Sequence, residues 1–306
     1  MSVDILLSTY NGEQFLSDQL ESILNQSYKD FKIIIRDDNS SDNTIKIILD
    51  YVEKYNDKIL FVSDGTNLGS TQSFFELLKL SSSDLVMFCD QDDVWKTNKI
   101  EVMVDYYKFL VLQNEKKPIL IHSGVDVTDE RLNLLPDLTH KFNSVKCGME
   151  KSFVWQIFQN DVTGCTVLIN SEMRNLFSKI NIEYGNIIQH DWILAQVAYL
   201  NNSKFYLQEK TIQYRQHSKN VLGVRKMTIV QILRYKIKKG LFYPYYEHIG
   251  VLLKLLPNLE NRYEKELIEF SNLKNKNKIY RIFWHLKHKF LRDGNLIYKI
   301  YQLIIC

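Results

Sequence analysis

The chain reads as an α/β protein: a mostly parallel sheet with helices on both faces, followed by a basic helical C-terminal extension. Three observations predict this. Over the first 125 residues, short β-rich apolar runs alternate with longer amphipathic segments. Those runs are nearly continuous in apolar residues, as strands covered on both faces are. The charge balance also reverses along the chain. Met1 through Val224 hold 22 Lys+Arg against 30 Asp+Glu, whereas Arg225 through Cys306 hold 17 against 6.

Val3–Leu7 is the first predicted strand and ends in Ser8-Thr9-Tyr10-Asn11-Gly12. Leu16, Leu20, Ile23 and Leu24 then recur at helical spacing. Phe31–Ile35 is the second strand, closed by Arg36-Asp37-Asp38 and a polar run to Thr44, and Ile45, Ile48, Leu49 and Val52 mark the next helix. Ile59–Val62 precedes Asn67-Leu68-Gly69 and a helix through Phe74, Leu77 and Leu78. Leu85–Cys89 is the fourth strand and runs into Asp90-Gln91-Asp92-Asp93. Further on, Val162–Asn170 reads as a strand with Ser171 as the N-cap of a helix through Phe177. His190–Leu200 reads as a helix, and Phe205–Tyr214 as a strand leading into Arg215-Gln216-His217.

Composition narrows the class. The 306 residues are 45% hydrophobic, 25% charged and 12% aromatic, which is ordinary globular composition. Length and the charge reversal suggest one unit over 1–224 and a basic, aromatic-rich region over 225–306. Cys89, Cys147, Cys165 and Cys306 are scattered without metal-ligand spacing, so a reducing compartment is expected. No secretory signal follows Met1, and no run approaches the roughly 18 apolar residues of a membrane span.

The polar clusters fall just after the carboxyl ends of strands, where open α/β sheets bind ligands. Asp90, Asp92 and Asp93 would repel one another without a cation, and hard oxygen ligands suit Mg²⁺ or Mn²⁺ shared with phosphates. A solvated acidic turn is the plainer alternative. Trp95 is either a packing anchor or a ring beside a sugar. Asp37 and Asp38 form a second acidic pair at the binding edge, while Asp42 reads more simply as the start of a helix.

The motifs in order, Ile5 through Gly12, Arg36 through Thr44, Asn67-Leu68-Gly69 and Asp90-Gln91-Asp92-Asp93, resemble family 2 glycosyltransferases. Thr163-Gly164-Cys165-Thr166, His190-Asp191-Trp192 and Tyr214-Arg215-Gln216-His217 extend the likeness to about residue 222. The resemblance implies a GT-A fold, a Rossmann-like sheet with one nucleotide-sugar site. It implies that Thr9, Tyr10 and Asp38 hold the base and ribose, with Asp90 near ribose and metal. Asp92 would coordinate Mn²⁺ or Mg²⁺, and His217 sits where some members reach the metal or diphosphate. Asp191 matches the catalytic base, although a helix-start aspartate is also favoured by the helix dipole. Cys165 is read as a small buried residue.

Inversion by single displacement needs one base and a Lewis acid on the leaving diphosphate, which agrees with this assignment. The wording around Asp90–Trp95, His190–Trp192 and Arg215–His217 looks most like bacterial rhamnosyltransferases of capsule or O-antigen assembly. The expected donor is therefore dTDP-L-rhamnose, with UDP-galactose or UDP-glucose as the runner-up and a lipid-linked oligosaccharide as acceptor. A nucleotidyltransferase is disfavoured, because Ser8–Gly12 is not a glycine-rich basic phosphate loop. A non-catalytic binding subunit is the remaining rival.

The C-terminal region mixes cations with aromatics at Tyr235–Tyr243 and again at Ile279–Leu291, with breaks expected near Pro244 and Pro257. Basic amphipathic helices of this kind suit an anionic membrane surface. The alternative is packing against the catalytic domain or another subunit. Nucleic acid is not expected as a partner. The chain is thus expected at the cytoplasmic face of the plasma membrane.

Overall fold

The computed structural model describes residues 1–112, 117–146, 153–178, 184–218, 242–256 and 264–288. The boundary expected between Val224 and Arg225, most of the Tyr235–Tyr243 run, Pro257 and the end of the Ile279–Leu291 run lie outside the described residues.

Strands β1 (Val3–Thr9), β2 (Phe31–Asp37), β3 (Ile59–Val62) and β4 (Leu85–Cys89) form a parallel half-sheet in the order β3-β2-β1-β4. Helices α1 (Leu16–Leu24), α2 (Thr44–Lys54) and α3 (Ser70–Leu80) make the crossovers. Alternate residues enter opposite cores, as the two-residue period of a strand requires. Ile5, Leu7, Ile33 and Met87 pack on one face, while Leu6, Ile34, Val86 and Phe88 pack on the other. Both faces are covered, which is why these strands read as unbroken apolar runs. Truncating one such side chain to Ala costs about 2–5 kcal/mol.

The other half contains β5 (Val94–Trp95), β6 (Leu120–Thr128), β7 (Val167–Asn170) and β8 (Lys204–Arg215), giving the full order β3-β2-β1-β4-β7-β6-β8-β5. Strand β7 is antiparallel to both β4 and β6, β8 is parallel to β6, and β5 is antiparallel to β8. The last pairing sets Val94 opposite Gln213 and Trp95 opposite Ile212. It thereby brings the end of β8 beside the Asp90–Asp93 loop.

Helices α4 (Lys99–Val111), α5 (Pro136–Lys146), α6 (Phe153–Phe158), α7 (Ser171–Ser178) and α8 (His190–Leu200) complete the first part. The strand expected over Val162–Asn170 begins only at Val167, because Thr166 turns back to bond Thr163 O through its N–H and its hydroxyl. The cap of α7 is Asn170 rather than Ser171. Asn170 Oδ1 accepts the Met173 N–H at 3.1 Å, whereas the Ser171 hydroxyl is turned to Glu172.

Three helices follow: α9 (Tyr243–Leu255), α10 (Glu264–Asn272) and α11 (Lys278–His288). Pro244 lies in the first turn of α9, where its missing N–H leaves no bond unmade. Tyr246, Ile249 and Leu252 of α9, with Leu267 and Phe270 of α10 and Trp284 of α11, join the same apolar core as Ile193, Leu194 and Val197 of α8. The described helices between 243 and 288 therefore share a core with α8 and the sheet. No helix of the described residues is long and apolar enough to cross a membrane.

Candidate active site

The carboxyl ends of β1 and β2 are locked together. Thr9 is buried and its hydroxyl donates to Asp37 Oδ1 at 2.9 Å, while Asp37 Oδ2 accepts the Ser40 N–H at 2.7 Å. Asp38 N donates to Thr9 O at 2.8 Å. The Asp38 carboxylate is buried and already busy: it accepts from Arg36 Nη1 at 2.6 Å, Leu68 N at 2.7 Å, Gly69 N at 2.9 Å and Ser73 Oγ at 3.0 Å. These hydrogen bonds outweigh burial and hold its pKa below the usual carboxylate value. In this arrangement Asp38 organises the Asn67-Leu68-Gly69 turn, and Gly69 takes φ 78°, open to glycine. Tyr10 is half exposed at the same edge and presents its ring outward.

After β4 the acidic tetrad divides its labour. Asp92 Oδ2 lies 2.7 Å from His217 Nε2, so two residues 125 positions apart share one hydrogen bond. The His217 ring packs on Phe15 with centroids 4.8 Å apart. Arg215 fixes this corner: its guanidinium donates to Asp92 O at 2.9 Å, Glu130 O at 2.8 Å and Asp18 Oδ2 at 2.8 Å. Asp93 is fully buried and accepts Arg215 N at 3.1 Å through Oδ1, while its Oδ2 has no hydrogen-bond partner among the described residues. Burial, then Asp92, then Asp90 drive the Asp93 pKa well up.

Asp90 is pushed up to about 7, by burial first and then by the charges of Asp92 and Asp191. Gly164 stands against His190 and Asp191 while its neighbour Cys165 stands against Asp90 and Asp93, so the first turn of α8 lies close to the Asp90–Asp93 loop. Asp191 is 7% exposed, and its Oδ1 has no hydrogen-bond partner among the described residues. Gly164 makes this approach possible: a Cβ there would sit 2.8 Å from His190 Nε2 and 3.7 Å from Asp191 Cβ. His190 itself is wedged against Phe74 and Phe88, with centroids at 4.2 and 5.3 Å, and burial lowers its pKa. It is a packing residue beside the candidate base.

Two donor sets could hold a divalent cation. Asp90, Asp93 and Cys165 place one donor atom each within 4.8 Å of one another. Burial drives the Cys165 thiol well up, so it stays protonated, and a protonated thiol is a poor ligand for a hard cation. Asp92 and His217 offer an oxygen and a nitrogen that already converge at 2.7 Å. Around them stand carboxylates whose mutual repulsion a cation would relieve. The residues fit Mn²⁺ or Mg²⁺, with Asp92 and His217 as the better-placed pair.

The structure gathers Asp90, Asp92, Asp191 and His217 at one edge, with Thr9 at the end of β1 and Tyr10 and Asp38 on the adjoining loops. Three further residues had drawn no role from the sequence. Gln91 ties two of the loops together, and Arg215 anchors the Asp92 corner. Lys99 is fully buried, with Nζ 2.6 Å from Cys165 O and 3.7 Å above the Trp95 ring. Its signal was a lysine on the apolar side of a helix that starts just after the tetrad. Trp95 is thus a packing anchor, 3% exposed.

The mixed sheet with helices on both faces is a GT-A-like fold. The model of the family "Glycosyl transferase family 2" matches residues 4–171. The chain belongs to that family and is a glycosyltransferase, and an inverting mechanism is consistent with the membership. It is 31% identical over 228 residues to dTDP-rhamnosyl transferase RfbG of Shigella flexneri, spanning 71% of this chain and 73% of the relative. It is 30% identical over 102 residues to the UDP-Glc:alpha-D-GlcNAc-diphosphoundecaprenol beta-1,3-glucosyltransferase WfgD of Escherichia coli, spanning 33% of this chain and 39% of that protein. Among solved structures, S. aureus TarS 1-349 in complex with UDP superposes with a TM-score of 0.59 at 15% identity, over 93% of this chain and 78% of TarS 1-349. Mannosyltransferase PcManGT from Pyrobaculum calidifontis, in complex with GDP-Man and Mn²⁺, gives a TM-score of 0.55 at 14% identity, over 98% of this chain and 77% of that one. At those identities the likeness is one of fold.

Proposed function

We propose that this glycosyltransferase moves L-rhamnose from dTDP-L-rhamnose onto a lipid-linked oligosaccharide in cell-surface polysaccharide synthesis, working at the cytoplasmic face of the membrane. The observation that supports the donor assignment is the similarity to the dTDP-rhamnosyl transferase RfbG, which extends over 228 residues and 71% of this chain. The lipid-linked acceptor is supported by the diphosphoundecaprenol acceptor in the name of WfgD. WfgD is also the reason to keep a UDP-hexose as the second donor.

In this reading Asp191 Oδ1 takes the proton from the acceptor hydroxyl. The hydroxyl oxygen bonds to the anomeric carbon from the face opposite the diphosphate, the bond to the phosphate oxygen breaks, and configuration inverts. The nucleoside diphosphate leaves with the bonding pair. Asp92 and His217 would hold Mn²⁺ or Mg²⁺, which supplies Lewis acidity to the leaving diphosphate when bound. The Thr9–Tyr10 backbone and the loop that Asp38 organises would receive base and ribose, and Asp90 would face the ribose.

The test is calorimetric titration of the full chain with dTDP-L-rhamnose, UDP-glucose and UDP-galactose, each with Mn²⁺ and again with EDTA. Metal-dependent binding of dTDP-L-rhamnose alone is expected. Preference for a UDP-hexose would replace the donor while leaving the reaction class intact, and binding that ignores EDTA would remove the metal from Asp92 and His217.

A further inference from the structure

We infer that His248, on α9 of the C-terminal region, is a positioning residue for the turn that carries Asp191; this rests on Asp191 acting as the base. His248 is fully buried and meets that part of the chain at three points. Its Nδ1 lies 3.2 Å from Ile188 N, its ring centroid 5.7 Å from that of Trp192, and its Nε2 2.9 Å from Gln196 Oε1. Trp192 and Gln196 are four apart on one stripe of α8, and Ile188 lies on the connection before it, so the three contacts bracket Asp191.

The tautomer follows from the partners. A backbone N–H can only donate, so Nδ1 must be bare and Nε2 must carry the proton that goes to Gln196 Oε1. Gln196 Nε2 then donates to Gln156 O at 3.0 Å, and the same carbonyl accepts Trp192 Nε1 at 2.9 Å. Burial alone lowers the His248 pKa to about 3, so the ring stays neutral. Every bond of the chain is of the right polarity, and such satisfied buried networks hold one geometry.

A buried histidine between two helices commonly serves stability only. Two features assign more to this one. Its bond to Ile188 falls on the connection just before α8, not on the helix body. Asp191 Oδ1 has no hydrogen-bond partner among the described residues, so the backbone of its turn, rather than a neighbouring side chain, aims that oxygen. Phe74 and Phe88 pack His190 within that turn, and α9 adds the bond to the connection before it. The C-terminal region would thus complete the active site without touching substrate.

The experiment uses the full chain and the variants His248→Asn, His248→Gln, His248→Ala and, in parallel, Asp191→Asn. Asn keeps an acceptor near the Nδ1 position, whereas Gln reaches toward Gln196 and loses Ile188. Three quantities are read: amide exchange across residues 186–193, calorimetric affinity for dTDP-L-rhamnose and UDP-glucose, and release of nucleoside diphosphate from each with water as acceptor. His248→Gln and His248→Ala are expected to speed exchange in that segment about tenfold or more. Release per bound donor should fall by about tenfold to hundredfold with donor affinity kept, because a misaimed base costs rate and not binding. His248→Asn should recover most of both. Exchange that rises evenly over the whole chain, or normal release in His248→Gln, overturns the proposal. If only Asp191→Asn loses release, the base stands and the positioning role falls. If only the His248 variants lose it, the base reading falls while positioning of this turn stands.

Discussion

Gln91 pairs with both backbone polar groups of Tyr10: its Oε1 accepts the Tyr10 N–H at 2.8 Å and its Nε2 donates to Tyr10 O at 2.9 Å. The side chain behaves like one more strand residue, joining the loop after β1 to the loop after β4. The loops after β1 and β4 are therefore one mechanical unit. Gly12 leaves room for this, since a Cβ at that position would collide with Gln91 Oε1.

Replacing Gln91 by Ala should leave two backbone groups to water and cost about 1–3 kcal/mol of stability. Gly12→Ala should act on the same contact by pushing Gln91 off Tyr10. Both variants are expected to weaken donor binding in calorimetry while the metal affinity changes little. Unchanged donor affinity in both would separate the two loops functionally.

Asp191→Asn keeps the shape of the turn and removes the proton acceptor. Donor binding should stay within about twofold of the parent, and transfer should fall by roughly 10²–10⁴-fold, the range a general base supplies. Near-normal turnover would take Asp191 out of that role.

Asp92→Asn and His217→Ala are expected to raise the Mn²⁺ concentration needed for half-maximal donor binding by about 10–100-fold. The loss should be partly restored by excess Mn²⁺ in His217→Ala, where one carboxylate ligand remains. Should Asp93→Asn raise that concentration while His217→Ala leaves it unchanged, the ion belongs with the Asp90, Asp93 and Cys165 set instead.

His248 also sets an acid dependence. Its folded pKa of about 3 lies below the ordinary value of 6.5, because burial disfavours the charged ring. Its neutral, bonded form supports the fold fully above pH 6.5, and that support is lost as pH falls from there toward 3. Thermal unfolding across this window should show a steeper acid decline for the parent chain than for His248→Asn, which has nothing to titrate. Parallel curves would mean that other groups govern acid stability.

The parallel half-sheet was legible because burial on both faces writes continuous apolar runs, as in Ile5-Leu6-Leu7 and Ile33-Ile34-Ile35. Strand β6 was not, since His122 and Ser123 interrupt its run; both are buried, and Ser123 Oγ is satisfied by Thr211 Oγ1 at 2.6 Å, a pairing only the fold creates. The Asp90–Asp93 cluster stood out by charge density alone. Its partner His217 could be tied to it only through resemblance to a family, because β5–β8 pairing supplies the proximity and a two-residue strand such as Val94–Trp95 has no period to read. His248 drew no attention for the same reason: its partners lie 52 and 60 residues away.

The outer face of α11 carries the last prediction. Ile279, Phe283 and Leu286 recur at helical spacing and are 82%, 63% and 52% exposed, with Tyr280 beside them, while Trp284 and His285 bury the opposite face. Lys276, Lys278 and Lys287 are exposed around this stripe. An apolar stripe rimmed by cations suits an anionic lipid surface, with the side chains set in the headgroup region and the ammonium groups on the phosphates. The full chain should bind vesicles containing phosphatidylglycerol and bind pure phosphatidylcholine vesicles far less. Added salt should weaken the binding. The double change Ile279→Ser with Phe283→Ser should lower the partition coefficient by about tenfold or more while melting temperature holds, because neither side chain is in the core. Equal binding to both vesicle types, or an unaltered coefficient in the double variant, would leave the stripe to another partner and detach the enzyme from the membrane.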